Sequence, residues 1–181
     1  MEKIRPILIP SYLVLDTYYD KLLNTVPWIN QNAPRDECFM ALDKLTYTYG
    51  KGFERTYESV LMDSLVCSIM ELINKEFLTS YNVCFLNHYA DRHKHLGWHA
   101  DDSPELDADH PIAVLSFGAT RQIWVKEKDY SGEIPDENKY ELTNGSLFIM
   151  PKGFQEKYVY KIPKHDRECD GRISLTYRRM K

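Results

Sequence analysis

The feature that most constrains the fold is a series of short strand-like runs between residues 82 and 179. They are rich in β-branched and aromatic residues and read NVCFLNHYA, IAVLSFGATRQIWVK, GSLFIMP, KYVYKI and RISLTYRR. Turn-forming segments separate them, including DSPELDADHP, SGEIPDEN and the pair Asn144-Gly145. Many short strands joined by turns predict an antiparallel double sheet, a jelly roll.

The first 80 residues carry two helical patterns instead. Apolar residues recur at helical spacing after Asp16 or Thr17, either of which can cap a helix that Pro27 ends; they are Tyr19, Leu22, Leu23 and Val26. A second helix is expected over about residues 59–77, with one apolar side formed by Leu65, Ile69, Leu72, Ile73 and Phe77. Residues 30–56 are mostly polar, and KLTYTYGKG within them resembles a strand and a turn.

These patterns predict one α+β domain over residues 1–181. Residues 1–80 would supply helices packed on one sheet, and residues 81–181 would form the jelly-roll core. A hydrophobic content of 43% is enough for a sizeable core. We expect the chain to be a monomer.

The net charge and the cysteines indicate which partners and which compartment suit the protein. The net charge of −4 gives no global signal for nucleic-acid binding, although a local basic patch remains compatible with it. The cysteines show no CxxC spacing, which favours a reducing, cytoplasmic compartment without disulfides; they are Cys38, Cys67, Cys84 and Cys169. The N-terminus makes a poor signal peptide, and no apolar run is long enough to predict a membrane span.

A candidate metal site begins at His99-Ala100-Asp101. On a strand, residues 99 and 101 would lie on the same side, as two ligands of one ion must. An open Fe(II) site uses two imidazoles and one carboxylate on one face and leaves positions for substrate and oxygen. Taken alone, however, this histidine–aspartate pair is more typical of a polar turn with a solvated histidine.

The surrounding motifs change that interpretation. Four motifs follow one another in the sequence: Asn87-His88-Tyr89, His99-Ala100-Asp101-Asp102, the segment from Pro111 to Arg121 with SFGATR, and RISLTYR near the C-terminus. This arrangement resembles the core of the AlkB-type Fe(II)/2-oxoglutarate dioxygenases. The N-terminal PRDECFMALDKLTYTYGKG resembles the segment that forms the nucleotide-recognition lid of that family. The resemblance covers about residues 34–50 and 84–179.

The resemblance implies a double-stranded β-helix that uses Fe(II), 2-oxoglutarate and O2. It also assigns roles within the cofactor site: His99 and Asp101 would be iron ligands, and Asn87 and Tyr89 would hydrogen-bond 2-oxoglutarate. Arg172 would form a salt bridge to the distal carboxylate of 2-oxoglutarate, and Arg178 would lie near its other end and belong to the catalytic group.

Residue chemistry supports the arginine and asparagine assignments. A dicarboxylate is matched by the planar, permanently charged fork of an arginine. Arg172 and Arg178 are an even number of residues apart, so one strand can direct both at one cavity. Alone, the two would instead fit a solvated basic strand end, and Tyr89 could equally be a core residue. Asn87 on an apolar strand is harder to dismiss, because buried amides need partners.

One position departs from the family pattern. A third iron ligand, a histidine, is implied about a dozen residues before Arg172, in an aromatic-x-His-x-hydrophobic-Pro motif; aligning Ile162-Pro163 places Tyr160 there. Tyr160 could be a ligand, although a phenol with an ordinary pKa near 10 binds Fe(II) poorly and would become phenolate on Fe(III). The chain could instead have lost its third ligand, or His165 in the polar segment KHDRECDG could replace it, although that histidine more closely fits a solvated loop.

The family resemblance also implies the substrate, an N-methylated base such as 1-methyladenine or 3-methylcytosine. The base would be presented by a single strand or flipped from a duplex. Candidate substrate-binding residues are Tyr47, Thr48 and Tyr49 in the lid-like stretch, with Asp102 and Ser103 after the metal motif. Ser103 stands where family members often have an acidic residue, and Ser174 stands where they usually have asparagine. A hydroxylase of another substrate and an inactive 2-oxoglutarate-binding module remain alternatives.

Overall fold

The computed structural model describes residues 4–49 and 54–181, and the side chain of Tyr49 is outside the described part. Two antiparallel sheets face each other, with helices on the outside of the larger one. The strands are β1 (Ile7–Ile9), β2 (Asp36–Ala41), β3 (Thr46–Tyr49), β4 (Arg55–Glu58), β5 (Val60–Leu61), β6 (Val83–Tyr89), β7 (Leu96–His99), β8 (Ile112–Gly118), β9 (Arg121–Glu127), β10 (Lys139–Leu142), β11 (Leu147–Met150), β12 (Tyr158–Ile162) and β13 (Arg172–Arg178). The helices are α1 (Thr17–Thr25), α2 (Ser64–Phe77) and α3 (Phe154–Lys157).

The strand order is that of a jelly roll, which confirms the predicted fold class. The major sheet runs β1-β11-β8-β13-β6-β2-β5, and the minor sheet runs β10-β9-β12-β7. Strands β3 and β4 form a separate hairpin. All pairs in the two large sheets are antiparallel except β2 with β5. The non-consecutive neighbours within each sheet are the crossovers that a double-stranded β-helix requires.

The sequence of β13 explains how the major sheet can be buried on both faces. Its odd-numbered residues are apolar and join the core beneath the helices; they are Ile173, Leu175 and Tyr177. Its even-numbered residues are polar and buried, and they are Arg172, Ser174, Thr176 and Arg178. Because alternate side chains of a strand point to opposite faces, the polar set faces the interior between the sheets. An interior lined with buried arginines is not a pure packing core and indicates a binding cavity.

The two predicted helices are present, and the second begins later than expected. The structure starts α2 at Ser64 because Asp63 caps it, accepting hydrogen bonds from the backbone amides of Leu65 and Val66 at 2.8 and 3.4 Å. The preceding residues extend into β4 and β5. Leu72 was wrongly assigned to the packed side, since it is 44% exposed.

The largest omission from the sequence-based prediction is β2, which lies in the segment interpreted as mostly polar. It pairs with β6 from Asp36↔His88 to Ala41↔Val83 and is part of the major sheet, not of a lid. The lid-like hairpin is therefore limited to β3 and β4, and the predicted turn at Gly50 and Gly52 lies outside the described residues. Within the described ranges, none of the helices combines the length and the apolar character needed to cross a membrane.

Candidate active site

His99 and Asp101 come together although they do not share a strand. Strand β7 ends at His99, and Asp101 lies in the loop that follows, so the predicted alternation along one strand was wrong. The loop nevertheless brings His99 Nε2 to 3.9 Å from Asp101 Oδ1. The backbone amide of Asp101 donates to Oε1 of Gln155 in α3 at 2.8 Å. Gln155 therefore positions the carboxylate, a role that sequence reasoning missed.

Local contacts prepare the His99 imidazole to act as a ligand. Its Nδ1 lies 2.9 Å from the carbonyl oxygen of Gly97, which fixes the proton on Nδ1 and leaves the lone pair on Nε2, towards Asp101. Burial lowers the pKa of His99 from its ordinary 6.5, and the nearby Asp101 only partly offsets this. The imidazole is therefore neutral at physiological pH, the form that binds metals.

Arg178 forms a buried ion pair with Asp101 and fixes its orientation. Nη2 of Arg178 lies 2.6 Å from Oδ2 of Asp101, and both side chains are buried. The guanidinium also lies over the rings of Tyr47 and Phe85, at 5.8 and 5.5 Å from their centroids. This ion pair leaves Oδ1, the oxygen that faces His99, without a hydrogen bond among the described residues. Arg178 thus acts on the candidate metal ligand directly.

Tyr160 occupies the position opposite His99. The two residues are Cα partners across β12 and β7, and their ring centroids are 4.4 Å apart. Tyr160 is only 4% exposed. His165 lies in the loop after β12 and contacts Asp166 and Arg167 instead. Within residues 4–49 and 54–181 no group of three histidine, cysteine or acidic side chains could hold a metal ion, and Tyr160 lies beside His99, where the family pattern implies a third ligand.

Arg172 provides a buried positive charge with unused donors. Its Nη2 donates to Oγ of Ser116 at 2.9 Å, whereas Nε and Nη1 are buried and have no hydrogen-bond partner among the described residues. Burial lowers its pKa from 12.5 to about 10, and the nearby Tyr89 partly offsets the effect. Unpaired donors on a buried guanidinium are costly and indicate a site for an anion.

The Tyr89 ring lies near two guanidinium groups. Its ring centroid is 5.3 Å from Cζ of Arg172 and 5.6 Å from Cζ of Arg121. Unlike Arg172, Arg121 is satisfied by backbone carbonyl oxygens, at 3.3 Å (Asp91), 2.8 Å (Lys94) and 2.5 Å (Pro163). Arg121 therefore fixes two loops at the mouth of the sandwich, while Arg172 remains available to a ligand.

Asn87 belongs to a buried polar network that reaches the hairpin. Nε of Arg35 donates to its Oδ1 at 3.0 Å, which leaves the amide Nδ2 for a ligand oxygen. Nη2 of Arg35 pairs with Glu37 at 2.7 Å, and the hydroxyl of Tyr57 in β4 donates to the same carboxylate. Nη1 of Arg35 lies 3.4 Å from the carbonyl oxygen of His95, before β7. The network links the hairpin, the Asn87 strand and the strand that carries His99.

Arg35 and Glu37 were missed because both lie in the segment interpreted as polar. The signal that could have found them is the alternation of β2, in which Glu37 and the apolar residues Phe39 and Ala41 share one face. A carboxylate at 0% exposure on such a face needs a cationic partner, and Arg35, two residues away, is within reach.

A groove of about 890 Å³ opens beside His99. Thr48, Asp102 and Ser103, three of the predicted substrate-binding residues, line it together with Arg55 and Trp98. Asp102 forms a salt bridge with Lys128 at 3.4 Å. Tyr47 lies differently: it is fully buried, and its hydroxyl is 3.3 Å from Oγ of Ser103. In this conformation Tyr47 supports the floor of the groove and does not present its ring.

Comparison with known proteins agrees with this geometry. The family model of the 2OG-Fe(II) oxygenase superfamily matches residues 18–178. The α-ketoglutarate-dependent dioxygenase alkB homolog 3 of Bos taurus is 29% identical over 190 residues, which covers 96% of this chain and 65% of that protein. The DNA oxidative demethylase ALKBH2 of Arabidopsis thaliana is 28% identical over 191 residues, covering 90% and 61%. The chain thus spans slightly less than two thirds of the length of these relatives.

A solved structure shares the fold. It is described as the structure of OsALKBH1 and matches with a TM-score of 0.64 at 15% sequence identity, covering 98% of this chain and 100% of that one. At that identity the match supports only the shared jelly-roll fold. The family match spans most of the described sandwich, including every residue of the candidate site. The chain therefore belongs to the 2OG-Fe(II) oxygenase superfamily, as an AlkB-like member.

Proposed function

We propose that this protein catalyses the oxidative dealkylation of N-methylated bases in nucleic acid, with Fe(II), 2-oxoglutarate and O2. The observation that carries the proposal is that Arg172, with two buried donor atoms that have no partner among the described residues, lies on the same strand as Arg178, which pairs with Asp101. Arg172 suits a carboxylate, and His99 and Asp101, near Arg178, supply ligands for a cation. A chelating diacid with its metal ion fits both sets of residues.

The residues present fit 2-oxoglutarate well and iron in part. Arg172 would hold the distal carboxylate, with Tyr89 beside it and Asn87 supplying an amide donor. His99 and Asp101 would hold the metal ion through Nε2 and Oδ1. The third donor would be the phenol oxygen of Tyr160, a harder ligand than imidazole and one better suited to Fe(III). When bound, iron and 2-oxoglutarate supply the oxidant for a substrate C–H bond.

The side chains of the protein prepare this chemistry before any ligand arrives. The Gly97 carbonyl holds the His99 proton on Nδ1, and Arg178 fixes the orientation of Asp101. Arg35 fixes the amide of Asn87. Because the contacts of Asp101 and Asn87 are buried, these two side chains need little reorganisation when ligands bind.

The groove supports a nucleic-acid base as substrate. It adjoins His99 and is lined by Thr48, Arg55 and Ser103, which offer hydroxyl and cationic groups to a base edge or a phosphate. Relatives named as α-ketoglutarate-dependent dioxygenase and as DNA oxidative demethylase favour the same substrate class. Hydroxylation of an N-methyl group would release formaldehyde and restore the base, and a duplex substrate would require base flipping.

The test is incubation with Fe(II), 2-oxoglutarate and a single-stranded oligonucleotide that contains one 1-methyladenine or 3-methylcytosine. The proposal predicts equal amounts of succinate and formaldehyde and a loss of about 14 mass units from the oligonucleotide, which is the net loss of CH₂ when an N-methyl group is replaced by hydrogen. His99→Ala is the matched control and should form neither product. Release of succinate without formaldehyde would favour a hydroxylase of another substrate.

Tyr160 favours a second candidate, a module that binds 2-oxoglutarate without turning it over. An aromatic phenol in place of the family's imidazole weakens the binding of Fe(II). Binding of 2-oxoglutarate without succinate formation at saturating iron and ascorbate would identify this case. Ligation by Tyr160 is tested separately by adding Fe(III) and recording the visible spectrum. A phenolate-to-iron charge-transfer band that disappears in Tyr160→Phe supports ligation, and a band that persists excludes it.

A further inference from the structure

Lysines and tryptophans alternate across the outer face of the minor sheet. Nζ of Lys139 in β10 lies 5.1 Å from the ring centroid of Trp124 in β9, and Nζ of Lys161 in β12 lies 4.7 Å from the same ring. Lys161 is also 4.8 Å from the ring of Trp98 in β7, and Lys126 is 5.0 Å from it on another side. We call these five residues the Lys–Trp row.

Strand register shows that the row is continuous and faces outwards. Lys139 and Lys161 are both Cα partners of Trp124, on either side of it. The alternate residues of β9, Ile123 and Val125, are buried between the sheets, so Trp124 points to the opposite face. The row crosses all four strands, and at about 4.8 Å per strand it spans roughly 14 Å. That length exceeds the spacing of about 3.4 Å between nucleotides along one strand of B-DNA, so the row is long enough to contact more than one nucleotide.

The positive charge of the row is poorly balanced by the protein. Lys139 has one carboxylate partner, Asp136, at 2.8 Å, but this aspartate side chain is 98% exposed and such a pair is easily exchanged. Lys126 donates to a backbone carbonyl at 2.9 Å, and Lys161 forms no salt bridge within the described ranges. Glu141 lies two residues beyond Lys139 and already accepts from a glutamine of β9. Three ammonium groups therefore share one weak counterion in a chain whose net charge is −4.

The row also joins the groove of the candidate active site. Trp98 is 36% exposed, lines the groove and precedes His99 on β7. Val159, which lies on the outer face of β12 between the buried Tyr158 and Tyr160, lines the groove as well. A strand that leaves the groove past Trp98 would meet Lys161, Trp124 and Lys139 in turn.

We propose that the Lys–Trp row binds the nucleotides that flank the target base in a single-stranded nucleic acid. The lysines contact phosphates, and the indole rings of Trp98 and Trp124 offer surfaces on which bases stack. The inference rests on the proposed function, because it takes the groove beside His99 as the position of the target base. The Lys–Trp row would be a second contact surface without sequence preference, and it would increase the number of nucleotides that the protein contacts.

The experiment compares a fluorescently labelled 3-mer with a 15-mer, each containing one 1-methyladenine, by anisotropy at several salt concentrations. The test variant is Lys139→Gln/Lys161→Gln, which keeps most of each aliphatic stem. The control is Lys21→Gln/Lys75→Gln, which changes the charge equally at exposed positions on α1 and α2. Since each phosphate contact contributes about 0.7 to the salt slope on single strands, the test variant should lower the slope for the 15-mer by about 1.4.

The proposal predicts that only the test variant loses affinity, and only for the 15-mer. Trp124→Leu should weaken 15-mer binding about tenfold, the loss expected for one stacked base, with no effect on the 3-mer. Equal losses on both oligonucleotides, or an unchanged slope for the 15-mer, would overturn it. Turnover of the 3-mer tests the proposed function independently. If the 3-mer is not turned over but the salt slope of 15-mer binding still depends on the Lys–Trp row, the proposed function is refuted and the binding surface is supported.

Discussion

Replacing Arg172 by methionine should stabilise the ligand-free protein and remove its response to 2-oxoglutarate. The substitution keeps a long unbranched side chain but deletes a guanidinium whose Nε and Nη1 are buried without partners among the described residues. The substitution raises the stability of the ligand-free protein because it removes a desolvated charge. It lowers the stabilisation by 2-oxoglutarate because it removes the binding partner of a carboxylate. A purely structural role for Arg172 would produce neither.

The magnitude follows from the pKa of Arg172. Burial lowers it from the ordinary value of an arginine to about 10, and at about 1.36 kcal/mol per pKa unit this corresponds to about 3 kcal/mol of lost folding free energy at neutral pH. Because the folded-state pKa is the lower one, the cost is complete below pH 10 and is relieved only as the pH rises towards the ordinary pKa of arginine. Losing the hydrogen bond to Ser116 destabilises the variant by about 1 kcal/mol. We therefore expect the free energy of unfolding of Arg172→Met to exceed that of the wild type by about 1–2 kcal/mol.

Thermal unfolding measures both effects. A gain of that size corresponds to about 3–6 °C in Tm for a chain of this length. Saturating 2-oxoglutarate at 100 times its Kd should stabilise the wild type by about 2.7 kcal/mol and the variant negligibly, because two charge-assisted hydrogen bonds worth about 1.5–3 kcal/mol each are lost. Arg172→Met with a Tm below that of the wild type in ligand-free buffer, or an undiminished response to 2-oxoglutarate, would refute the reasoning.

Arg121→Met is the matched control for that experiment. Arg121 is as deeply buried as Arg172, and it lies at a similar distance from the Tyr89 ring. Its donors are satisfied by three carbonyl oxygens, so their loss leaves those acceptors unpaired. We expect Arg121→Met to destabilise the protein by about 2–4 kcal/mol while the remaining folded protein still responds to 2-oxoglutarate.

The remaining predictions concern the candidate metal position, the buried pair of Arg35 and Glu37, and the cap of α2. Tyr160→His should raise succinate formation at limiting Fe(II) at least about tenfold, since even residues that only orient a metal ligand change affinity about ten- to a hundredfold; unchanged rates would show that Tyr160 is not at the metal. Glu37→Gln should destabilise the protein by about 3 kcal/mol in urea denaturation, because it leaves Arg35 buried without its counter-charge, whereas Tyr57→Phe should cost about 1 kcal/mol. Asp63→Ala should cost about 1 kcal/mol by removing the cap of α2, while Asp16→Ala, which removes no side-chain cap, should leave Tm within about 1 °C.

The sequence predicted those parts of the fold that depend on local patterning. Alternation in β6, β8 and β13 is strong because each strand packs apolar residues such as Leu86, Leu115 and Leu175 beneath the helices. Turn signals such as Asn144-Gly145 fixed the boundaries between them. The order of motifs then identified His99, Asp101 and Arg172, and the structure places all three around the interior of the sandwich.

The remainder depended on contacts that are distant in sequence. Strand β2 was missed because Asp36 and Glu37 read as solvated charges, whereas in the folded chain Glu37 pairs with Arg35 and Asp36 lies 3.3 Å from Nδ1 of His88. The start of α2 was misplaced because Val60 and Leu61 pair with β2, which outweighs their helical spacing. The burial of Tyr47 under Arg178 likewise could not be read from a segment that resembles an exposed lid.

The most direct test of the central claim is a crystal structure of the protein with Fe(II) and 2-oxoglutarate, grown without oxygen. The account predicts one carboxylate of 2-oxoglutarate on Nε and Nη1 of Arg172, and a metal ion bound by Nε2 of His99, the carboxylate of Asp101 and the phenol oxygen of Tyr160. A diacid bound away from Arg172, or a metal ion that does not contact both His99 and Asp101, would contradict it.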